Sequence, residues 1–159
     1  MHLTALGSSF ASGPGIPPYA NVSAYRSTQN YPHLLAHKLS ANLTDLTTAG
    51  ATLLNLLSEP QTLPSGETCP PQISLVPQET DIVTLTCGGN DLGYIGSLTH
   101  ASLMASYGQT TEELPAALLS TEQLTARLGA VVDAIHARAP AAKILLVEYL
   151  PVLGVETRP

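Results

Sequence analysis

The chain has 159 residues, of which 44 % are hydrophobic and 11 % charged, and its formal net charge is −6. This length and composition predict one compact domain with a hydrophobic core, and they exclude an intrinsically disordered chain. Nucleic acid and anionic membrane surfaces are disfavoured as partners, because binding them requires clustered Lys and Arg, which the sequence lacks.

The first six residues contain neither a basic segment nor a long apolar one, so no signal peptide is visible. A cytoplasmic location is therefore slightly favoured over secretion, with a removed leader left open. No apolar run approaches the roughly 20 residues of a membrane-spanning helix, so no membrane span is expected.

Short apolar segments predict three strands, and a weaker segment predicts a fourth. In chain order they are Leu3–Gly7, the weaker Thr44–Thr48, Asp81–Cys87 and Lys143–Tyr149. The last two are nearly continuous apolar runs, which is typical of parallel strands covered on both faces.

Helical patterns lie between these strands. Asn30 is predicted to cap a helix with Pro32 in its first turn, and a second helix is predicted over Thr121–Ala139 after the capping-box residue Ser120. Strands that alternate with helices predict an α/β fold with a parallel sheet, in a single domain over residues 1–159.

Two long connections and two cysteines complete the chain. Segments Ser58–Thr80 and Leu92–Leu119 are predicted to form the rim of a functional site or to contain short helices. Cys69 and Cys87 are expected to be free thiols, with a single bridge between them left open.

The segments that follow the predicted strands are the natural place for a site, because ligands bind beyond the carboxyl ends of parallel strands. Gly7–Gly15 follows the first strand, Thr48–Thr52 the second and Gly88–Asp91 the third. All three are small, polar and glycine-containing, and the fold would gather them at one edge of the sheet.

These segments contain the parts that a serine hydrolase needs. Such an enzyme requires a hydroxyl on a tight turn and hydrogen-bond donors directed at the oxyanion. Ser9, the backbone N–H of Gly50 and the side-chain amide of Asn90 could supply them.

In this arrangement the chain resembles the SGNH (GDSL-like) hydrolase family, which is named for Ser, Gly, Asn and His in four blocks. The first block reads Gly-Asp-Ser-x-x-x-Gly, and Gly7–Gly13 matches it at both glycines and at Ser9, with Ser8 in place of Asp. Gly50 stands where the family places its oxyanion glycine, and Gly88–Asp91 matches Gly-x-Asn-Asp in full.

The resemblance implies a three-layer α/β/α fold of the flavodoxin-like type and hydrolysis of a carboxylic ester through an acyl-serine intermediate. Ser9 would be the nucleophile, and the N–H groups of Ser9 and Gly50 would form the oxyanion hole with the Asn90 amide. The partner would be a small-molecule ester, with no metal or organic cofactor. The identity of the ester and the oligomeric state stay open.

The fourth block of the family is Asp-x-x-His near the C-terminus, where His is the general base and Asp orients it. The sequence is interpreted as lacking this block, and the C-terminal strand and helix of the family fold are expected to be missing with it. Among the histidines, His100 lies in the long loop after Asn90 and could reach Ser9, but an exposed loop position is favoured for it. The others are expected at solvated helix positions or at the far side of the sheet: His2, His33, His37 and His136.

Other interpretations compete with an active esterase. A non-catalytic member or fragment of the family, binding at most a small ligand, stays open because a serine without a base is a poor nucleophile near neutral pH. A nucleotide-binding module is disfavoured, since Gly7–Gly15 matches neither phosphate-binding fingerprint. Asn90 could instead cap a helix beginning near Asp91, and Asp91 is expected to accept structural hydrogen bonds.

Overall fold

The computed structural model describes residues 1–108 and 119–150. In chain order its elements are β1 (His2–Gly7), α1 (Ser9–Ser12), β2 (Tyr19–Asn21), β3 (Arg26–Ser27), α2 (Tyr31–Leu39), β4 (Asn42–Asp45), α3 (Leu53–Leu57), β5 (Gln61–Thr62), β6 (Thr68–Cys69), a 3-10 helix over Gln72–Leu75, β7 (Ile82–Thr86), α4 (Tyr94–Ser106), α5 (Thr121–Arg138) and β8 (Lys143–Leu146).

The centre of the molecule is one parallel sheet of four strands, in the order β4–β1–β7–β8. Leu3 of β1 pairs with Leu43 of β4 on one side and with Ile82 of β7 on the other. Ile82 in turn pairs with Lys143 of β8. The predicted α/β fold with a parallel sheet is therefore confirmed. The remaining strands form two short antiparallel pairs, β2–β3 and β5–β6.

The second strand of the sheet lies earlier in the chain than predicted. It covers Asn42–Asp45 rather than Thr44–Thr48. The carboxylate of Asp45 accepts hydrogen bonds from the N–H and the hydroxyl of Thr47, at 3.0 and 2.6 Å. These local bonds turn the chain directly after Asp45, and the strand ends there.

Both predicted helix starts are confirmed. The Asn30 side chain accepts a hydrogen bond from the His33 N–H at 3.0 Å, and the Ser120 and Gln123 side chains form the reciprocal bonds of a capping box. The predicted connection Leu92–Leu119 contains a helix, α4, and its residues 109–118 lie outside the described part. No side chain caps α4, whose N-cap is Gly93, so the sequence carried no capping signal for it.

The main core lies between one face of the sheet and the helices α3 and α5. Its largest buried side chains are Leu6, Leu53, Leu56, Val76, Val83, Leu85, Val131 and Ile135. On the opposite face, the Tyr31 hydroxyl of α2 lies 2.9 Å from the Thr86 hydroxyl. Helices therefore cover both faces of the inner strands, whereas Leu145 and Leu146 of the edge strand β8 keep 48 % and 57 % of their surface exposed.

The end of β1 is held on both sides. The Ser8 N–H donates to the Thr86 carbonyl of β7 at 3.0 Å. The Gln72 side-chain amide accepts from the Gly7 N–H at 2.9 Å and donates to the Gly7 carbonyl at 3.0 Å, and all these groups are buried. Gly7 has a φ of 146°, and a Cβ atom there would overlap the Thr86 carbonyl oxygen. A glycine is required because the strand and the turn after it pass so close to β7.

Asp91 joins three parts of the chain beyond the sheet. Its side chain is 1 % exposed, accepts a hydrogen bond from the Leu53 N–H at 2.9 Å and pairs with Arg127 of α5 at 3.4 Å. Asp91 thus joins the start of α3 and one face of α5 to the segment after β7. This is the structural role, as a hydrogen-bond acceptor, that the sequence predicts for it.

No helix within residues 1–108 and 119–150 is both long and apolar enough to cross a membrane.

We expect Gly7→Ala to destabilise the domain by roughly 2–4 kcal/mol, because the added methyl group forces the backbone away from Thr86. Gly66→Ala is the matched control, since Gly66 also has a positive φ, of 85°, but has no atom within 4 Å of the added Cβ. Urea unfolding followed by circular dichroism measures both. An equal loss in the two variants would mean that backbone conformation alone, and not the approach to Thr86, requires glycine.

We expect Asp91→Ala to lower the free energy of unfolding by roughly 2–4 kcal/mol, because a buried N–H loses its acceptor and Arg127 loses its partner. Asp133→Ala on the exposed side of α5 should cost less than about 0.5 kcal/mol. Denaturant titrations of the two variants should differ clearly, and similar midpoints would argue against the structural role of Asp91.

Candidate active site

The turn after β1 carries the predicted nucleophile. Ser9 is the first residue of α1 and is half-buried. No hydrogen bond found among the described residues uses its N–H or its hydroxyl. Because the neighbouring Ser8 N–H is fixed to the Thr86 carbonyl, Ser9 is presented at the carboxyl edge of the sheet.

The turn after β4 carries the predicted oxyanion glycine. The Thr48 N–H donates to the Gly7 carbonyl at 3.0 Å, which fixes this turn beside the first one. Within it the Ala51 N–H donates to the Thr48 carbonyl at 3.1 Å, and Gly50 lies exposed at the bend. The Gly50 N–H takes no part in the backbone hydrogen bonds found in the described ranges.

The segment after β7 brings Asn90 to the same edge. The Asn90 side-chain amide donates to the Ala51 carbonyl at 2.8 Å, and this bond holds Asn90 against the turn that contains Gly50. The alternative that Asn90 caps a helix is wrong: the N-cap of α4 is Gly93, whose N–H donates to the Asn90 carbonyl at 3.1 Å. An amide nitrogen carries two hydrogens, so the second one stays available.

A fourth segment, which follows β8, also reaches the site. The Tyr149 hydroxyl lies 3.1 Å from the Ser8 hydroxyl and 3.1 Å from the Gly89 nitrogen. Burial raises the pKa of Tyr149 above its usual value of 10.0. Sequence reasoning missed this residue because it lay inside the predicted strand Lys143–Tyr149, whereas β8 ends at Leu146. Only with this end of the strand does Tyr149 stand among the residues that follow a parallel strand.

The histidines of the described part do not meet Ser9. His100 is exposed on α4 rather than in a loop. The His2 ring lies 2.8 Å from the Thr44 hydroxyl, and the His33 ring is half-buried, 2.7 Å from the Asn30 side-chain oxygen. None of the hydrogen bonds found in residues 1–108 and 119–150 joins a histidine ring to Ser9.

The interpretation that the sequence lacks any Asp-x-x-His needs correction. Asp133-Ala134-Ile135-His136 has this spacing. It lies near the end of α5, and both polar side chains are exposed there. The chain leaves α5 to begin β8, so this end of the helix lies at the amino end of the sheet, opposite Ser9. The pair has the spacing of the fourth block without its location.

The two cysteines are not bonded to each other. Burial, with a smaller contribution from the charge of Asp91, raises the pKa of Cys87 to about 12, so its thiol stays protonated at neutral pH. In the described ranges, no three His, Cys, Asp or Glu side chains lie close enough to share a metal ion.

Two cavities flank the chain that follows β8. One, of 340 Å³, is lined by Cys87 and Tyr149 among others. The other, of 350 Å³, is lined by apolar side chains, including Phe10 and Leu150, and by polar ones, including Asn30 and Glu148. Phe10 is the neighbour of Ser9, so there is room for a small apolar group close to the predicted nucleophile.

Comparison with known proteins adds sequence relatives. A lipase from Streptomyces rimosus is 31 % identical over 147 residues, which are 91 % of this chain and 51 % of that protein. Lipase 2 from Streptomyces coelicolor is 40 % identical over 89 residues, 55 % of this chain and 28 % of that protein. The chain thus spans about half the length or less of these curated relatives.

Solved structures share the fold. The extracellular lipase from Streptomyces rimosus superposes with a TM-score of 0.66 and 29 % identity, covering 92 % of this chain and 58 % of that one. Phospholipase A1 from Streptomyces albidoflavus superposes with a TM-score of 0.68 at 22 % identity, covering 99 % and 63 %.

The model of the GDSL-like lipase/acylhydrolase family matches residues 5–159. The match covers the turn with Ser9, the turn with Gly50 and the segment with Asn90, which the structure brings to one edge of the sheet. The chain belongs to the GDSL-like lipase/acylhydrolase family.

Proposed function

We propose that the protein acts on small carboxylic esters with Ser9 as the nucleophile. The observation that carries this proposal is the convergence of three segments at one edge of the sheet. The Gly7 carbonyl accepts from the Thr48 N–H, and the Asn90 amide donates to the Ala51 carbonyl. A hydroxyl and three potential oxyanion donors are thereby gathered from positions far apart in the chain.

In the proposed reaction the Ser9 oxygen attacks the ester carbonyl carbon, and the carbonyl oxygen becomes an oxyanion. The N–H groups of Ser9 and Gly50 and the free hydrogen of the Asn90 amide stabilise this charge. The bond to the alcohol then breaks, and the alcohol leaves with the proton that Ser9 has lost. Water hydrolyses the acyl-serine to release the acid and restore the Ser9 hydroxyl.

The step that limits the rate is removal of the Ser9 proton. A serine hydroxyl is a poor nucleophile while it is protonated, and a positioned histidine normally accepts its proton. Among the described residues no histidine ring is hydrogen-bonded to Ser9. We propose that this 159-residue chain is therefore a slow esterase by itself, working with the oxyanion donors but without a general base.

Because no histidine ring of the described residues is hydrogen-bonded to Ser9, a second candidate is a non-catalytic member of the family. Such a protein would keep the pocket and the donors and bind small carbonyl ligands without turnover. The two candidates differ in the reactivity of Ser9, which a covalent probe measures directly.

The cytoplasmic location expected from the sequence is not favoured, since a relative from Streptomyces rimosus is an extracellular lipase.

We expect turnover of p-nitrophenyl acetate to exceed the buffer rate by no more than about 10³–10⁴-fold, the level that an oxyanion hole and binding sustain alone. The acetyl ester is chosen because the cavity beside Phe10 measures 350 Å³. Nitrophenolate release by the wild type and by Ser9→Ala measures this. Fast turnover that Ser9→Ala abolishes would show that a base does reach Ser9.

We expect a p-nitrophenyl alkylphosphonate to modify Ser9, with nitrophenolate as the leaving group, at a rate that Asn90→Ala lowers by about 10²-fold. The phosphoryl oxygen occupies the oxyanion position, so the loss of one donor slows the reaction. Asn42→Ala, at the amino end of β4, is the matched control. Peptide mass mapping locates the adduct, and an adduct on another serine would identify the wild type as non-catalytic at Ser9.

A further inference from the structure

We propose that Tyr149 is a positioning residue of this site, whose hydroxyl fixes the turn that carries Ser9 to the segment that carries Asn90. The inference rests on the proposed function, in which these two residues supply the nucleophile and an oxyanion donor. It adds the fourth strand of the sheet to the structures that build the site.

The hydroxyl of Tyr149 connects two segments that are distant in the chain. It accepts a hydrogen bond from the Gly89 N–H at 3.1 Å, and it lies 3.1 Å from the Ser8 hydroxyl. A phenol has one hydrogen and two lone pairs, so it can serve both partners at once. Ser8 and Gly89 are buried and directly precede Ser9 and Asn90. The bridge therefore sets the distance between the residues that would react and those that would stabilise charge.

The ring of Tyr149 is held so that the hydroxyl meets both partners. Phe10 packs on one side, with ring centroids 4.6 Å apart, and Tyr94 meets the ring edge-on at 6.0 Å. A Cβ atom on Gly89 would lie 2.8 Å from atoms of the Tyr149 ring. The glycine at position 89 thus permits an approach that any other residue would block.

The backbone at this end of the sheet does not need the bridge. β1 and β7 pair directly, and the Ser8 N–H is already bound to the Thr86 carbonyl at 3.0 Å. Removing one hydroxyl leaves these bonds in place. What changes is the placement of the Ser9 turn relative to the Gly89–Asn90 segment. Burial also keeps the Tyr149 hydroxyl protonated through the neutral range, so the bridge does not depend on pH there.

The test is Tyr149→Phe, which keeps the ring and deletes only the hydroxyl. Phosphonate modification of Ser9 is measured as a maximal rate and a half-saturating concentration. We expect the maximal rate to fall about ten-fold, because small misplacement of reacting groups is costly, and the half-saturating concentration and unfolding temperature to stay close to wild type. Tyr107→Phe, which removes a hydroxyl from a ring that is 72 % exposed at the end of α4, should leave the maximal rate unchanged.

A second measurement follows the bridge itself. Hydrogen exchange of the Gly89 amide, observed by nuclear magnetic resonance, should become faster in Tyr149→Phe because this N–H loses its acceptor. Ser8→Ala should lower the maximal rate as well. Combining Ser8→Ala with Tyr149→Phe should lower it no further than Tyr149→Phe alone, since both act through one bridge.

The outcomes separate the two levels of inference. A wild type that the phosphonate does not modify at Ser9 overturns the proposed function. A wild type that reacts at Ser9, with the same maximal rate in Tyr149→Phe, overturns the positioning role while the proposed function stands. Unchanged Gly89 exchange in Tyr149→Phe, or independent effects of Ser8→Ala and Tyr149→Phe, overturns the bridge.

Discussion

The hydrogen bond from the Ser8 N–H to the Thr86 carbonyl is the constraint on which the site depends. It continues the β1–β7 pairing one residue past the strand, so the chain cannot drift before it begins α1 at Ser9. The absence of a side chain at Gly7 makes this close passage possible. Since α1 starts at once, the Ser9 hydroxyl and N–H are left at the edge of the sheet, and neither is hydrogen-bonded to any residue of 1–108 or 119–150. The position of the predicted nucleophile is in this sense a property of the sheet.

The sequence predicts the fold well because its signals are local and strong. The capping residues Asn30 and Ser120 lie where expected, and β7 and β8 lie within their predicted segments. The strand β8, however, ends at Leu146 rather than at the predicted Tyr149. The segment motifs also select the residues that meet at the carboxyl edge, since parallel strands impose that meeting. The features of the site that the sequence does not predict depend on contacts between residues distant in the chain. The bridge from Tyr149 spans 141 residues to Ser8, and no local pattern records it.

The pair Asp133 and His136 shows why spacing alone does not assign a role. Three residues of separation place both side chains on one face of a helix. In this fold the face is solvent-exposed and the end of the helix is the one remote from Ser9. Whether a residue pair can take part in a reaction depends on the end of the sheet at which it lies, and not on its spacing alone. Family membership thus establishes the architecture, while the rate of the proposed reaction depends on removal of the Ser9 proton.

The side chain of Gln72 gives the irregular segment before β7 a structural role at the end of β1. Beyond Asp45, β4 has ended, and the N–H and carbonyl of Gly7 point to the side that it would have occupied. The Gln72 amide, donating and accepting like a peptide group, meets both of them. The Thr48 N–H also reaches the Gly7 carbonyl, so what the Gln72 side chain adds is an acceptor for the Gly7 N–H beyond the end of β4. The proline-rich segment around Gln72 is therefore a structural support of the turn that carries Ser9.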